Sequence, residues 1–378
     1  MLTAFTNGRV LVDTGFIDDR AVLAEAGRIV ALAEFSDPRV AAADRRIDLG
    51  GDMLVPGFID TQVNGGGGVL FNDETSVEAI RAIGAAHRRF GTTGFLPTLI
   101  SDDLDRIEAA VSAAGVAVRE VPGVLGVHIE GPFINHERKG VHDSSKFRRI
   151  DERAFQLLTG LKQGRLLVTL APEITTPAMI SRLAAAGVVV AAGHTNGSFE
   201  QIQEALKSGL TGFTHLFNAM SPLTSRQPGV VGAALDDAGS WCGIIVDGHH
   251  VAAASLRIAL KAKGADRLML VTDAMPSVGV ENKSFLLQGR RISASGGICV
   301  DENGVLAGSD LDMASAVRNA VALMGVDLPT AIRMASRVPA EFLGLASELG
   351  RIAPGYRADL VRLTDAIEVA GSWIGGEA

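Results

Sequence analysis

Residues 121–141 read VPGVLGVHIEGPFINHERKGV, and the fold turns on how that stretch is understood. The aliphatic run Val124–Val127 leads directly into His128, Glu130, Gly131 and Pro132. Apolar residues closed off by Gly and Pro predict a short buried strand that stops abruptly. His128 and Glu130 lie two positions apart, so both leave that strand on the same side. A carboxylate at the tip of an apolar strand needs something positive to meet it. Taken alone, the stretch fits a salt bridge to an arginine as well as it fits a metal ion.

On either side of it, strands and helices alternate. The predicted strands are 54–63, 94–100, 124–130, 166–173, 188–194, 212–217, 242–247 and 268–273. Between them lie helix signals. Thr75-x-x-Glu78 and Ser198-x-x-Gln201 read as capping boxes, and Thr176-Pro177 places proline at a first helical position. Leu104, Ile107, Val111 and Ala114 keep a helical stripe. Eight such units over about 250 residues predict a closed parallel (β/α)8 barrel. No dinucleotide fingerprint opens the first crossover, which argues against an open doubly wound sheet. Asn64 is followed by four glycines but not by a helix, so the segment is not a phosphate cradle.

The two ends of the chain have a different texture. The first fifty residues read as short strands, with hairpin turns expected at Asn7-Gly8 and Ala26-Gly27. Residues 356–363 and 367–374 read the same way. Residues 1–52 and 347–378 are therefore expected to join as one small β-sandwich, around a barrel formed by 53–346.

The strand ends carry the chemistry. The third strand finishes in His128 and Glu130, the fifth in His194, the sixth in His215. Asp247, His249 and His250 end the seventh, and Asp273 ends the eighth. In a barrel these ends meet on one face, the face that holds active sites. One histidine at such an end is usually a packed core residue. Several from separate strands, in the company of Glu and Asp, point to a metal. Glu130, His194 and His215 form the expected ligand set. Three protein ligands with an open position mark a catalytic centre that makes water a nucleophile near neutral pH. Asp273 is the expected general base, with capping of the following segment as its structural alternative. His142, on the loop after Glu130, is placed to polarise a carbonyl, while His87 and His136 are read as structural or surface residues.

Together the motifs HIEGPF (128–133), AGHT (192–195), THLFNAM (214–220), DGHH (247–250) and VTDAM (271–275) resemble the metal-dependent amidohydrolase superfamily. Within it they are most similar to the N-acetylglucosamine-6-phosphate deacetylases. PGFID (56–60) and APGYRADLV (353–361) extend the resemblance to essentially the whole chain. It implies a barrel with a small β-sandwich, and hydrolysis of N-acetylglucosamine 6-phosphate to glucosamine 6-phosphate and acetate. The galactosamine epimer is the alternative substrate. The same positions match the family's metal ligands at Glu130, His194 and His215 and its acid/base at Asp273. His142 matches the contact to the sugar or its acetyl carbonyl. Asn218, Ala219, Arg226 and His250 match positions that hold the sugar phosphate. The resemblance also implies a homodimer in which Arg226 and His250 reach across from the neighbouring subunit. Many superfamily members end their first strand in His-x-His, which supports a second metal; here Gln62 and Asn64 stand instead. Neutral amides are poor ligands for zinc or iron, so one ion per subunit is expected, zinc first, with Fe2+, Co2+ or Mn2+ accepted by the same donors.

Bulk composition narrows the class further. With 35 basic and 43 acidic residues, the net charge of −8 argues against a nucleic-acid surface. No apolar run reaches membrane-spanning length, and no basic segment with an apolar core opens the chain. Cys242 and Cys299 lie in apolar surroundings without a pairing pattern, as in a reduced cytoplasmic protein. A ring-opening amidase would usually keep the His-x-His pair, and a non-catalytic relative would have broken ligands; neither description fits these residues.

Overall fold

In the computed structural model, which describes residues 1–378, the eight barrel strands form one all-parallel sheet. They are β1 (Phe58–Val63), β2 (Thr92–Ile100), β3 (Gly126–Glu130), β4 (Arg165–Leu170), β5 (Val189–Ala192), β6 (Gly212–Phe213), β7 (Trp241–Ile244) and β8 (Leu268–Leu270). Each pairs with its neighbours in chain order. The ring closes through a parallel bridge between Val63 and Ala274, with Asp273 N–H donating to Gln62 O at 3.0 Å. This is a TIM barrel. Every residue of β1, β2 and β3 is buried, because helices cover the outside and side chains fill the inside.

The covering helices begin where the sequence places their caps, with one shift. Ser198 and Gln201 form the reciprocal capping box of helix Phe199–Lys207, and Thr176 caps Pro177–Ala185. For helix Val77–Arg88 the cap is Ser76, whose hydroxyl accepts from Ala79 N–H, rather than Thr75. Leu104, Ile107, Val111 and Ala114 are the buried stripe of helix Leu104–Glu120.

The anticipated first strand divides in two. Met53–Pro56 is the central strand of a five-stranded sheet, flanked by Arg9–Val12 and by the C-terminal strand Leu360–Leu363. The chain enters the barrel only at Gly57, where a Cβ would stand 1.9 Å from Thr93 Oγ1. We therefore place the crossing at Gly57, a few residues later than the sequence boundary at 53. A separate four-stranded sheet holds Arg28–Glu34, Arg20–Glu25, Leu2–Thr6 and Arg45–Asp48. Ala26-Gly27 makes the expected hairpin between two of these strands. Asn7-Gly8 does not; there the chain leaves one sheet for the other. Phe5 from the first sheet meets Trp373 from the second edge-on, at 5.0 Å between ring centres. The two chain ends are thus joined through a small β unit with its own core.

Between β8 and helix Met313–Asn319 stands a four-stranded antiparallel sheet that the sequence patterning did not predict. Its strands are Ser284–Leu287, Arg290–Ser295, Ile298–Asp301 and Leu306–Ser309. Leu287, Ile292, Cys299 and Ala307 bury one face of it against Leu70, Ile100 and Met275, at the C-terminal rim of the barrel. Its last strand bonds to the chain beyond β8, through Ser309 N–H to Asp273 O and Met275 N–H to Ser309 O, both at 2.9 Å.

Candidate active site

Glu130, His194 and His215 meet at the barrel rim, their ligand atoms all within 4.8 Å of one another. Glu130 ends β3; His194 and His215 follow β5 and β6 at a sharp turn of the chain. That turn is visible in the backbone. His194, His215 and Asp273 have φ of 48°, 34° and 53°, a left-handed conformation that costs energy for residues with a Cβ and is found at functional sites.

The side-chain geometry fits a divalent cation. His194 Nδ1 lies 2.7 Å from the Arg138 carbonyl oxygen, which can only accept. Nδ1 therefore carries the proton and Nε2 offers its lone pair to the site. His215 Nε2 lies 2.9 Å from Glu130 Oε1 and 3.1 Å from His194 Nε2. Two imidazole nitrogens that close need a shared positive centre, a proton or a metal ion. Burial works against charge on Glu130, yet the two imidazoles hold its carboxyl well below the ordinary range. A carboxylate with two neutral imidazoles is the donor set of a catalytic zinc or iron(II) centre.

Around this cluster lies a cavity of about 150 Å³, lined among others by His142, Asn218, His250 and Asp273. Burial, reinforced by the Glu130 charge, pushes Asp273 up to about 6. Asn64 Nδ2 donates to Asp273 Oδ1 at 2.6 Å, and Gln62 Nε2 lies 3.1 Å from that oxygen and from both oxygens of Glu130. The two amides that replace a His-x-His pair thus serve as donors to the site's carboxylates. Their identity was plain in the sequence; their direction was not.

His142 lies against His194 with ring centres 4.3 Å apart and planes tilted by 52°. Burial, then the neighbouring His194, push it well below the usual imidazole value, so its ring stays neutral. Asn218 donates weakly to the carbonyls of His215 and Leu216, and Ala219 turns the chain with φ 51°. Both line the same cavity. His250 lines it too, its Nδ1 held by Asp247 Oδ2 at 2.6 Å. After β7, the turn at Asp247–Gly248 brings His250 to the cavity of its own chain. Arg226 is elsewhere. It is exposed and borders a separate polar cavity with Arg138, Asn196 and Ser198.

Two further residues brace the site. Asp60, fully buried below it, accepts from Gln62 N–H, Thr272 N–H and the Thr272 hydroxyl, tying β1 to β8. His128 sits inside the barrel between Thr98 Oγ1 at 3.2 Å and Thr169 Oγ1 at 2.7 Å, which leaves it no part in the ligand set. His87 is a buried partner of the Gly65 carbonyl.

A barrel whose rim gathers a Glu–His–His cluster, a buried Asp and a neutral His is the architecture of a metal-dependent hydrolase. The Amidohydrolase family matches residues 53–378, and the chain belongs to that family. It is 43% identical over 370 residues to an N-acetylgalactosamine-6-phosphate deacetylase of Shewanella sp. (strain ANA-3), covering 98% of this chain and 94% of the relative. It is 38% identical over 337 residues to an N-acetylglucosamine-6-phosphate deacetylase of Haemophilus influenzae, with 88% of each covered. The crystal structure of N-acetylglucosamine-6-phosphate deacetylase from Pasteurella multocida superposes with a TM-score of 0.96 at 35% identity, over 100% of this chain and 99% of that one.

Proposed function

We propose that this chain hydrolyses the N-acetyl group of N-acetyl-D-glucosamine 6-phosphate, releasing D-glucosamine 6-phosphate and acetate. The observation that carries the reading is the Glu130–His194–His215 cluster sharing one cavity with Asp273 and His142. Those three ligands are assigned one divalent ion, zinc first, with Fe2+, Co2+ or Mn2+ accepted by the same donors. Such an ion lowers the pKa of water and polarises a carbonyl. Asp273 takes the proton of the attacking water and delivers it to the departing nitrogen. His142 donates from Nε2 to the acetyl oxygen. Asn218, the Ala219 backbone and His250 hold the 6-phosphate, and Arg226 completes that contact from a second subunit. Both cysteines are free and buried, which supports a reducing, cytoplasmic setting.

The galactosamine epimer is a second reading, favoured by the 43% identity to a deacetylase named for that sugar. One panel tests both: the two epimers, each with and without the 6-phosphate, followed by acetate release. The expected result is turnover of the phosphorylated glucosamine derivative, with kcat/KM at least tenfold lower without the phosphate, equivalent to about 1.4 kcal/mol of lost transition-state binding. Preference for the galactosamine derivative would install the second reading. Equal rates on free and phosphorylated sugars would overturn both.

A further inference from the structure

We infer that Ser101 is a positioning residue: it fixes the tautomer of His142, so that Nε2 bears the proton and points it at the acyl oxygen of the substrate. This rests on the reading of His142 as the group that meets that oxygen.

Two donors from one residue converge on one ring nitrogen. The Ser101 hydroxyl lies 2.7 Å from His142 Nδ1, and the Ser101 backbone N–H points at the same atom from 3.4 Å. A backbone N–H can only donate, so this long contact favours a lone pair on Nδ1 without fixing it alone. A protonated Nδ1 would set two N–H dipoles against each other. The hydroxyl reinforces the choice. Ser101 is fully buried and Nδ1 is its side chain's sole hydrogen-bond partner, so its proton has nowhere else to go. An unused buried donor carries a desolvation cost. With Nδ1 accepting, the neutral ring has its hydrogen on Nε2. The opposite arrangement holds at His194, whose Nδ1 donates to a carbonyl. Adjacent imidazoles thus receive opposite tautomers from their partners: one a lone pair for a metal, the other a donor for a carbonyl.

Ser101 is itself held on several sides. Asn72 grips the last residue of β2 twice, accepting from Ile100 N–H and donating to Ile100 O, both at 3.0 Å. Gln288, at a turn of the antiparallel sheet, donates to Ser101 O at 3.0 Å. Gly131 leaves room for the hydroxyl: a Cβ there would stand 2.3 Å from Ser101 Oγ. The serine is seated from strand β2, the antiparallel sheet and the loop after β3.

The test is the ring-nitrogen NMR spectrum of zinc-loaded enzyme carrying 15N-histidine, with the His142 signals identified by their loss in His142→Asn. The expected pattern is an unprotonated Nδ1 and a protonated Nε2 at His142, with the reverse at the remote nitrogens of His194. In Ser101→Ala the His142 signals should move toward a mixture of tautomers. There kcat should fall about fivefold with KM nearly constant, on the order of one neutral hydrogen bond. A protonated Nδ1 in the unaltered enzyme overturns the inference whatever the variants do. So does a Ser101→Ala enzyme with unchanged spectrum and unchanged kcat. Full turnover by His142→Asn would instead overturn the role of His142, a separate result read from a separate sample.

Discussion

Gln62 and Asn64 stand where a His-x-His pair would hold a second ion, and each turns an amide N–H toward a carboxylate. An amide offers Glu130 and Asp273 hydrogen bonds without charge, which is enough for orientation and too little to ligate zinc. Purified enzyme should therefore contain one divalent ion per chain, a count that metal analysis gives directly; two ions at full activity would refute it. Asp273→Asn keeps the size of the side chain and should keep that ion. It cannot take a proton from water, so turnover should fall by a factor of about 10²–10⁴. Near-full turnover would show that Asp273 only caps the chain that follows it. Asp60 permits a pH experiment. Burial pushes it up to about 7 from an ordinary 3.8. Between those values the folded chain binds more protons than the unfolded one, so this residue makes stability fall as pH rises through that window. Asp60→Asn retains an acceptor for the two backbone N–H groups and cannot titrate. Relative to the parent, the variant should gain stability from about pH 4 to about pH 7. Denaturation curves at several pH values measure this, and parallel curves would mean that Asp60 titrates normally. Residue type made Glu130, His194, His215 and Asp273 legible in the sequence, because imidazoles and carboxylates gathered at buried strand ends are costly unless a cation joins them. Asp60, Ser101 and the donor role of Gln62 were not legible, since each depends on where a side chain points.

At the level of elements, the barrel was readable because its strands are apolar runs cut short by Gly, Pro or a ligand. The antiparallel sheet before helix Met313–Asn319 was missed although its signal was present. Arg290–Ser295 alternates, with only Ile292 and Ala294 buried, and Gly289, Gly296 and Gly304 sit at its turns. The period is short-lived, because no strand of the sheet exceeds six residues and Ser284–Leu287 does not alternate. The omission matters because this sheet forms one wall of the site, through Leu306 and Gly308. Gly308 has φ +63°, and a Cβ there would lie 2.8 Å from Asp273 O and 2.7 Å from Met275. Gly308→Ala should accordingly disturb the strand that carries Asp273 while leaving the three ligands in place. The expected outcome is retained metal content with a kcat loss of about tenfold, the cost of a small misplacement of the base. If kcat is unchanged, the wall yields freely and does not position Asp273.

For the whole molecule, the open matter is whether one chain makes a complete site. The cavity at the rim contains Asn218, Ala219 and His250 but not Arg226. Arg226 has no hydrogen-bond or ion-pair partner within its own chain. It is exposed on a Pro- and Gly-rich loop near Leu223, an apolar side chain 54% exposed. An unpaired guanidinium next to an uncovered leucine, on a loop that leaves the barrel rim beside the site, fits an arm given to a second copy. A lid over its own site is the competing arrangement. In a two-fold dimer each subunit gives one arm and receives one, so the two arrangements separate in a mixing experiment. Asp273→Asn chains lack the base, and Arg226→Ala chains lack the phosphate contact, so each homodimer alone should be weak or inactive. In a mixed dimer, the site on the Arg226→Ala chain keeps its own Asp273 and borrows Arg226 from its partner. The other site lacks both. With equal amounts and free exchange, half the dimers are mixed and each has one complete site of two, so about one quarter of the parent's activity should return. The recovered activity should show the parent's dependence on the 6-phosphate, because the borrowed arginine acts on that group. If exchange is verified by mass and no activity returns, Arg226 serves only its own chain and the arm becomes a lid.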